Sequence, residues 1–215
     1  MFPYLYIIFI GLAFISSLIS FRLDYSIHLK IFSVLLGLTL VNELLAVYGL
    51  VLVNLKTNLP IYNIFILIEF WVFGWFFYQI ISNKKVKLFI KIFLILFPIF
   101  WIVAVFYLFG FNSWNSYVII TGSAFTIFLS AFYYYELFTS QKLLMLTRLP
   151  EFWIATGLII FYSGNLPFTG MLNYLSINYR DLAIQLLTVL RILIIIMYSI
   201  FTYAFLCPII TRKSS

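Results

Sequence analysis

SNKKVKLFIKIFLILFPIFWIVAVFYLFG, residues 82–110, sets four lysines against an apolar run at 88–109 that carries no charge beyond Lys91. About 20 residues rising 1.5 Å each cover a hydrocarbon core of about 30 Å, so this run is long enough to cross a bilayer as a helix. Six more runs of the same kind lie at 2–20, 31–53, 61–82, 116–138, 152–171 and 182–207. Together they predict an all-α bundle of seven transmembrane helices, a single membrane domain covering residues 1–215.

The lysines also orient the bundle. With the N-terminus outside, Arg22, Lys30, Lys84, Lys85, Lys87, Lys91, Lys142, Arg148, Arg212 and Lys213 fall on the cytoplasmic side, against Lys56 and Arg180 on the other. Ten against two is the asymmetry expected when Lys and Arg are retained inside. The chain therefore reads as a multi-pass protein of a bacterial inner membrane with a cytoplasmic C-terminus. Its first run lacks a basic leader and is followed by Arg22, which predicts an uncleaved span. The net charge of +7 restates the same asymmetry towards anionic lipid headgroups, and nothing in it suggests a nucleic-acid groove.

A chain that is 65% hydrophobic, 22% aromatic and 9% charged has too little polar surface for a soluble globule. One cysteine, Cys207, excludes an internal disulfide and a cysteine-based metal cluster. Connections are short, so any signal has to be handed to another chain. In the 139–151 connection, Leu143, Leu144, Met145, Leu146 and Leu149 beside Lys142 and Arg148 predict a short helix in the headgroup layer, and Pro150 suits the first turn of the next span. Pro98 predicts a kink in the fourth span.

Ionisable groups inside spans cost roughly 2.5–3.5 kcal/mol each even on the lenient insertion scale, so they mark function or structure. Glu43, Glu69 and Arg191 count to one depth in the second, third and seventh spans. Asn42, Tyr62, Asn63 and Asn165 lie at or above it. Thr39, Asn42, Ala46 and Gly49 share a face of the second helix, Tyr62 and Glu69 share one of the third, and Arg191 shares one with Thr188 and Tyr198. The seven residues Asn42, Glu43, Tyr62, Asn63, Glu69, Asn165 and Arg191 are the candidate ligand-binding or polar network in the outer half. The alternative is a structural ion pair of Arg191 with either glutamate. Gly164, Pro167 and Gly170 around Asn165 predict a broken sixth helix, tolerated at membrane depth only where it lines a cavity. Ser123, Thr126, Ser130 and Tyr133 read as helix-packing contacts, Glu136 as reaching for the inner interface, and His28 as solvated.

Several seven-span classes are excluded by residue type. An opsin needs a lysine mid-way along the last span, where this chain has Arg191. Zinc hydrolases need several histidines, and paired-aspartate proteases need aspartates in spans, whereas Asp24 and Asp181 lie outside them. No catalytic residues, metal ligands or cofactor site are read, and the chain is expected not to be an enzyme.

Two segments, LPIYNIFILIEFWVFGWFFY at 59–78 and FWIATGLIIFYSGNLPF at 152–168, resemble an uncharacterised family of small seven-span membrane proteins of Bacteroidetes-type bacteria. The resemblance implies Tyr62, Asn63, Glu69, Gly164 and Asn165 as functional positions and a gene neighbourhood of two-component signalling, and it brings no activity. The spacing of Glu69 to Arg191 and of Asn42 to Asn165 is similar to that of sugar carriers built from two three-helix repeats, yet residues 1–82 and 123–205 share no matching sequence. The function expected is a ligand-binding or signal-transmitting module acting through a partner, a membrane kinase, another membrane protein or a second copy. Alternatives are a small-molecule or proton-coupled transporter and an assembly subunit of a larger membrane complex.

Overall fold

The computed structural model describes residues 4–23, 25–52, 57–140 and 146–212, and these are almost entirely helical, with no strand among them. Lys56, Lys142, Lys213, Leu143, Leu144 and Met145, on which parts of the topology and surface-helix expectations rest, lie outside the described residues, as do the side chains of Gly49, Arg180 and Arg212.

The helices are α1 (Leu5–Ser17), α2 (Ile19–Arg22), α3 (Ile27–Leu52), α4 (Leu59–Ile80), α5 (Lys84–Val103), α6 (Ser116–Thr139), α7 (Pro150–Asn178) and α8 (Arg180–Arg212). α1 and α2 form one rod interrupted at Leu18. A serine from α3 fills the interruption: Ser33 Oγ lies 3.0 Å from the Ser17 carbonyl oxygen and 2.8 Å from Ser20 Oγ. Backbone freed inside an apolar bundle needs such a partner. α5 passes Pro98 without ending and gives way to a π-helical stretch at Ala104–Phe109.

Six of these segments are long and apolar enough to cross a membrane: Leu5–Arg22, Ile27–Tyr48, Leu59–Ile80, Lys84–Phe109, Ser116–Thr139 and Asp181–Pro208. α7 is longer than most of them, but its Ser-Gly-Asn and Pro-Phe-Thr-Gly stretches dilute its hydropathy. The outward faces are apolar as well. On α5, Leu88, Ile92, Ile95, Ile99 and Ile102 form an exposed stripe, with Ile95 at 65% exposure, while Ile90, Phe97 and Trp101 are buried. A helix apolar all round is one whose solvent is not water.

Helix ends follow local rules. Asn83 caps α5, its side chain accepting from the N–H groups of Lys85 at 2.9 Å and Val86 at 3.3 Å. Pro150 opens α7, where its missing N–H goes unused, as the sequence predicts. The surface helix expected over 139–151 is represented, among the described residues, by a single 3₁₀ turn at 146–148.

The expected break in the sixth span is overturned: α7 is continuous from Pro150 to Asn178 through Gly164, Pro167 and Gly170. Proline removes one ladder hydrogen bond, and packing here outweighs that loss. α7 has its most extensive contact with α8. A Cβ on Gly164 would stand 2.6 Å from Leu193 Cδ1, and one on Gly157 would stand 2.7 Å from Phe201 Cε1. These glycines serve close approach between helices rather than helix breaking.

Packing gives a ring. α1, α3, α4, α6, α7 and α8 each touch the next, α8 closes back onto α1, and α5 lies outside against α4 and, through Phe89 and Phe93, against Phe125 of α6. One continuous core, rich in Phe32, Phe70, Phe76, Phe77, Phe201 and Phe205, fills most of the ring. Towards the end that carries the 110–115 connection, it stops short.

Candidate functional site

Where the core stops, the ring encloses a cavity of about 330 Å³ with walls from all six of its helices. α1 contributes Tyr6, α3 contributes Thr39 and Glu43, and α4 contributes Tyr62 and Glu69. Trp114, from the 110–115 connection, and Asn165, on α7, complete the polar lining together with Tyr162 and Tyr198. Most of the remaining wall is aromatic or aliphatic.

Glu43 is the most heavily bonded of the lining groups. Tyr6 Oη donates to its Oε2 at 2.9 Å and Tyr62 Oη donates to the same oxygen at 3.2 Å. Two hydroxyl donors converging on one oxygen match an acceptor-only carboxylate. Oε1 makes no hydrogen bond among the described residues. Glu69 lines the same cavity as Glu43 and the Tyr162 ring. Thr39 Oγ1 donates to the Leu35 carbonyl at 2.8 Å on its own helix, and Tyr198 lines the cavity from α8. Asn165 Oδ1 accepts from Thr169 Oγ1 at 3.1 Å on its own helix.

Asn63, one residue from Tyr62, faces away from the cavity and ties down its roof. Its Nδ2 donates to the carbonyls of Phe111 at 2.8 Å and Ser113 at 3.0 Å, its Oδ1 accepts from Asn115 Nδ2 at 3.0 Å, and its carbonyl accepts from Trp101 Nε1 at 2.7 Å. The connection that carries Trp114 is thereby fixed to α4. Asn42 is buried on the small face shared with Thr39 and Ala46 and lies outside the lining, its Nδ2 without a partner.

Arg191 does not join the two glutamates. Its side chain is exposed, it makes no ion pair with Glu43 or Glu69, and the cavity-facing stripe of α8 is Leu187, Leu190, Ile194 and Met197. Between Asp181 and Ile192 only Ala183 of α8 is buried, so the bundle does not cover the helix at that level. Arg191 lies outside the cavity lining. The structural ion pair offered as the alternative is absent with it.

Comparison with known protein families, curated proteins and solved structures finds no match to this chain.

Thus Glu43, Tyr62, Glu69 and Asn165 come together, Asn42 and Asn63 support them, and Arg191 stands apart. Sequence reasoning missed Tyr6, Trp114 and the inward role of Tyr162. With 16 Tyr, 26 Phe and 5 Trp in the chain, no aromatic stands out by composition. No group of three or more His, Cys, Asp or Glu side chains that could hold a metal occurs among the described residues.

The opposite end holds a second polar set. His28 Nε2 lies 2.8 Å from Glu151 Oε1 and the ring stands edge-on to Phe76, so His28 links α3 to α7 instead of being solvated. Glu136 accepts from the N–H groups of Ser82 and Asn83, both at 2.8 Å, and so ties the α4–α5 turn to α6. Tyr25 Oη donates to the Phe205 carbonyl at 3.1 Å, and burial, with Cys207 and Glu151 nearby, pushes its hydroxyl up to about 12.

Proposed function

We propose that this chain is a seven-span, N-out protein of a bacterial inner membrane that binds a small ligand in the cavity between Glu43 and Glu69 and passes the binding on to a membrane partner. α7 serves as the seventh crossing, at 29 residues. The observation that carries this reading is the cavity itself: about 330 Å³, lined by all six ring helices and by Trp114, with both membrane-depth carboxylates in its wall. Such a size lies at the small end of ligand pockets, and converging polar groups in an aromatic wall are what fix a ligand's orientation. In this topology the cavity opens towards the outer half, while Arg22, Lys30, Lys84, Lys85, Lys87, Lys91 and Arg148 gather at the cytoplasmic end. The output is a shift of helices at the His28–Glu151 and Glu136–Ser82 contacts, read by a membrane kinase, another membrane protein or a second copy.

Binding is favoured over transport because α7 is unbroken, whereas carriers build their midplane sites from discontinuous helices. It is favoured over an assembly role because an assembly subunit needs no cavity, and over catalysis because the cavity pairs its carboxylates with tyrosine hydroxyls and offers no separate nucleophile. The test is thermal unfolding of purified protein against a small-molecule library, beside solute and proton flux in vesicles. A stabilising compound whose effect disappears in Asn165→Leu and Glu69→Gln, without flux, supports the reading. Flux abolished by Glu69→Gln replaces it with the transporter. No stabilisation and no flux, with a stoichiometric membrane partner, replaces it with the assembly subunit.

A further inference from the structure

Given that the cavity binds a ligand, the proposal just made, we infer that the ligand is a small organic monocation, such as an ammonium with apolar substituents, held between the Glu43 and Glu69 carboxylates and the surrounding aromatic rings. The inference starts from charge. Among the described residues the lining contains two carboxylates and no Lys, Arg or His. The one arginine at this depth is exposed outside the wall and paired with neither glutamate. A carboxylate withdrawn from water is relieved by a proton or by a cation, and two neighbouring carboxyls that share one proton still leave one negative charge for a cation to meet.

The hydrogen bonds point the same way. Tyr6 and Tyr62 both donate to Glu43 Oε2, and among the described residues Oε1 has no donor. The tyrosines hold the carboxylate in place and leave its second oxygen for something else. With one proton shared between the two carboxyls, a neutral ligand leaves the remaining charge uncompensated, a monocation balances it, and an anion adds to it.

The walls then choose among cations. A hard divalent ion asks for six or more oxygen ligands, and no group of three His, Cys, Asp or Glu side chains exists among the described residues to supply them. Here two carboxylates share a wall with Phe65, Phe161 and Trp114 and the rings of Tyr6, Tyr62 and Tyr162. Ring faces attract ammonium groups and tolerate their alkyl substituents. An organic cation uses both parts of the lining.

The experiment compares charge at constant shape. Tetramethylammonium, choline and phenethylammonium are titrated into purified wild-type protein in mild detergent, each beside an uncharged isostere such as 3,3-dimethylbutanol for choline, with 3,3-dimethylbutyrate as the anion. At least one cation is expected to raise the melting temperature and to bind at least tenfold more tightly than its isostere. Glu43→Gln and Glu69→Gln should each weaken that cation at least tenfold and leave the isostere unchanged. Arg191→Ala, which removes a nearby positive charge from outside the wall, should leave cation binding equal or tighter. Ile194→Lys, which places an ammonium in the wall, should abolish it. The inference is overturned if isosteres bind as well as cations or if the anion binds best, and the cavity reading then survives. It is overturned together with that reading if nothing binds. The wild-type comparison alone decides these outcomes, so the proposal stays testable should a variant fail to fold.

Discussion

Tyr6 and Glu43, 37 residues apart and on different helices, meet through a 2.9 Å hydrogen bond in which the phenol donates to carboxylate Oε2. Tyr62 reaches the same oxygen from a third helix. One carboxylate oxygen thus joins α1, α3 and α4 at the cavity wall.

Removing either phenol should therefore loosen one helix contact, α1 to α3 for Tyr6 and α4 to α3 for Tyr62. Hydrogen bonds to charged groups contribute roughly 1.5–3 kcal/mol, and the remaining donor limits the loss in a single variant. Tyr6→Phe and Tyr62→Phe are each expected to lower stability in detergent by about 1–2 kcal/mol, and the double variant by more than their sum. Strict additivity in the double-mutant cycle would contradict a shared acceptor.

Asn63→Ala removes three side-chain hydrogen bonds from the 110–115 connection. It leaves the Phe111 carbonyl without its donor and the Asn115 amide and Ser113 carbonyl with only their mutual 3.4 Å contact, which should cost about 2–4 kcal/mol in all. Proteolysis confined to the connection, at a protease concentration that spares wild type, is the measurement. Equal resistance would mean that the roof is held by something else.

Arg191 should behave as an independent site. Arg191→Ala combined with Glu69→Gln is expected to be additive to within about 0.5 kcal/mol, because no ion pair joins the two residues. Rescue of Arg191→Ala by Glu69→Gln would restore the ion pair that the structure lacks.

Gly157 faces Phe201 Cε1 at 2.7 Å and the Met197 carbonyl oxygen at 3.4 Å from the position of an added Cβ. Gly157→Val should cost about 1–3 kcal/mol by forcing α7 from α8, whereas the same change at Gly11, with open space around it, should be near neutral. Melting temperatures of the two variants give the comparison.

Topology has its own test. Periplasmic reporter fusions after Lys56, Asn112 and Tyr174 should be active, and those after Lys85, Lys142 and Lys213 silent. A C-terminal fusion that reports outside would reject the N-out, seven-span arrangement.

The helices themselves were legible in the sequence. The run at 61–82 corresponds to Leu59–Ile80 and the run at 88–109 ends at Phe109, because continuous apolarity and Asn or Pro at the ends determine both. The cavity was legible in depth but not in direction. Counting residues from a span's end gives height, and Glu43 and Glu69 do share a wall. Which way Arg191 turns depends on whether a neighbour covers α8 at that height, and a helix apolar on every side carries no signal of that. The break expected at Gly164 to Gly170 failed for a related reason. Glycine and proline weaken a helix considered alone, but Gly164 admits Leu193 and packing keeps α7 continuous. Tyr6 was hidden by composition, since one more aromatic in an aromatic-rich span marks nothing.

Because Asn63 fastens the roof to α4, the cavity has one stiff flank and one loose one. The stiff flank comprises α4 and the tethered Trp114 connection; the loose one is the first half of α8, where Ala183 alone is buried before Met197 apart from the partly covered cavity stripe. A guest is expected to arrive sideways, by parting α8 from its neighbours, rather than from above past Trp114. Molecules that already partition into the membrane would then reach the carboxylates without ever crossing the roof.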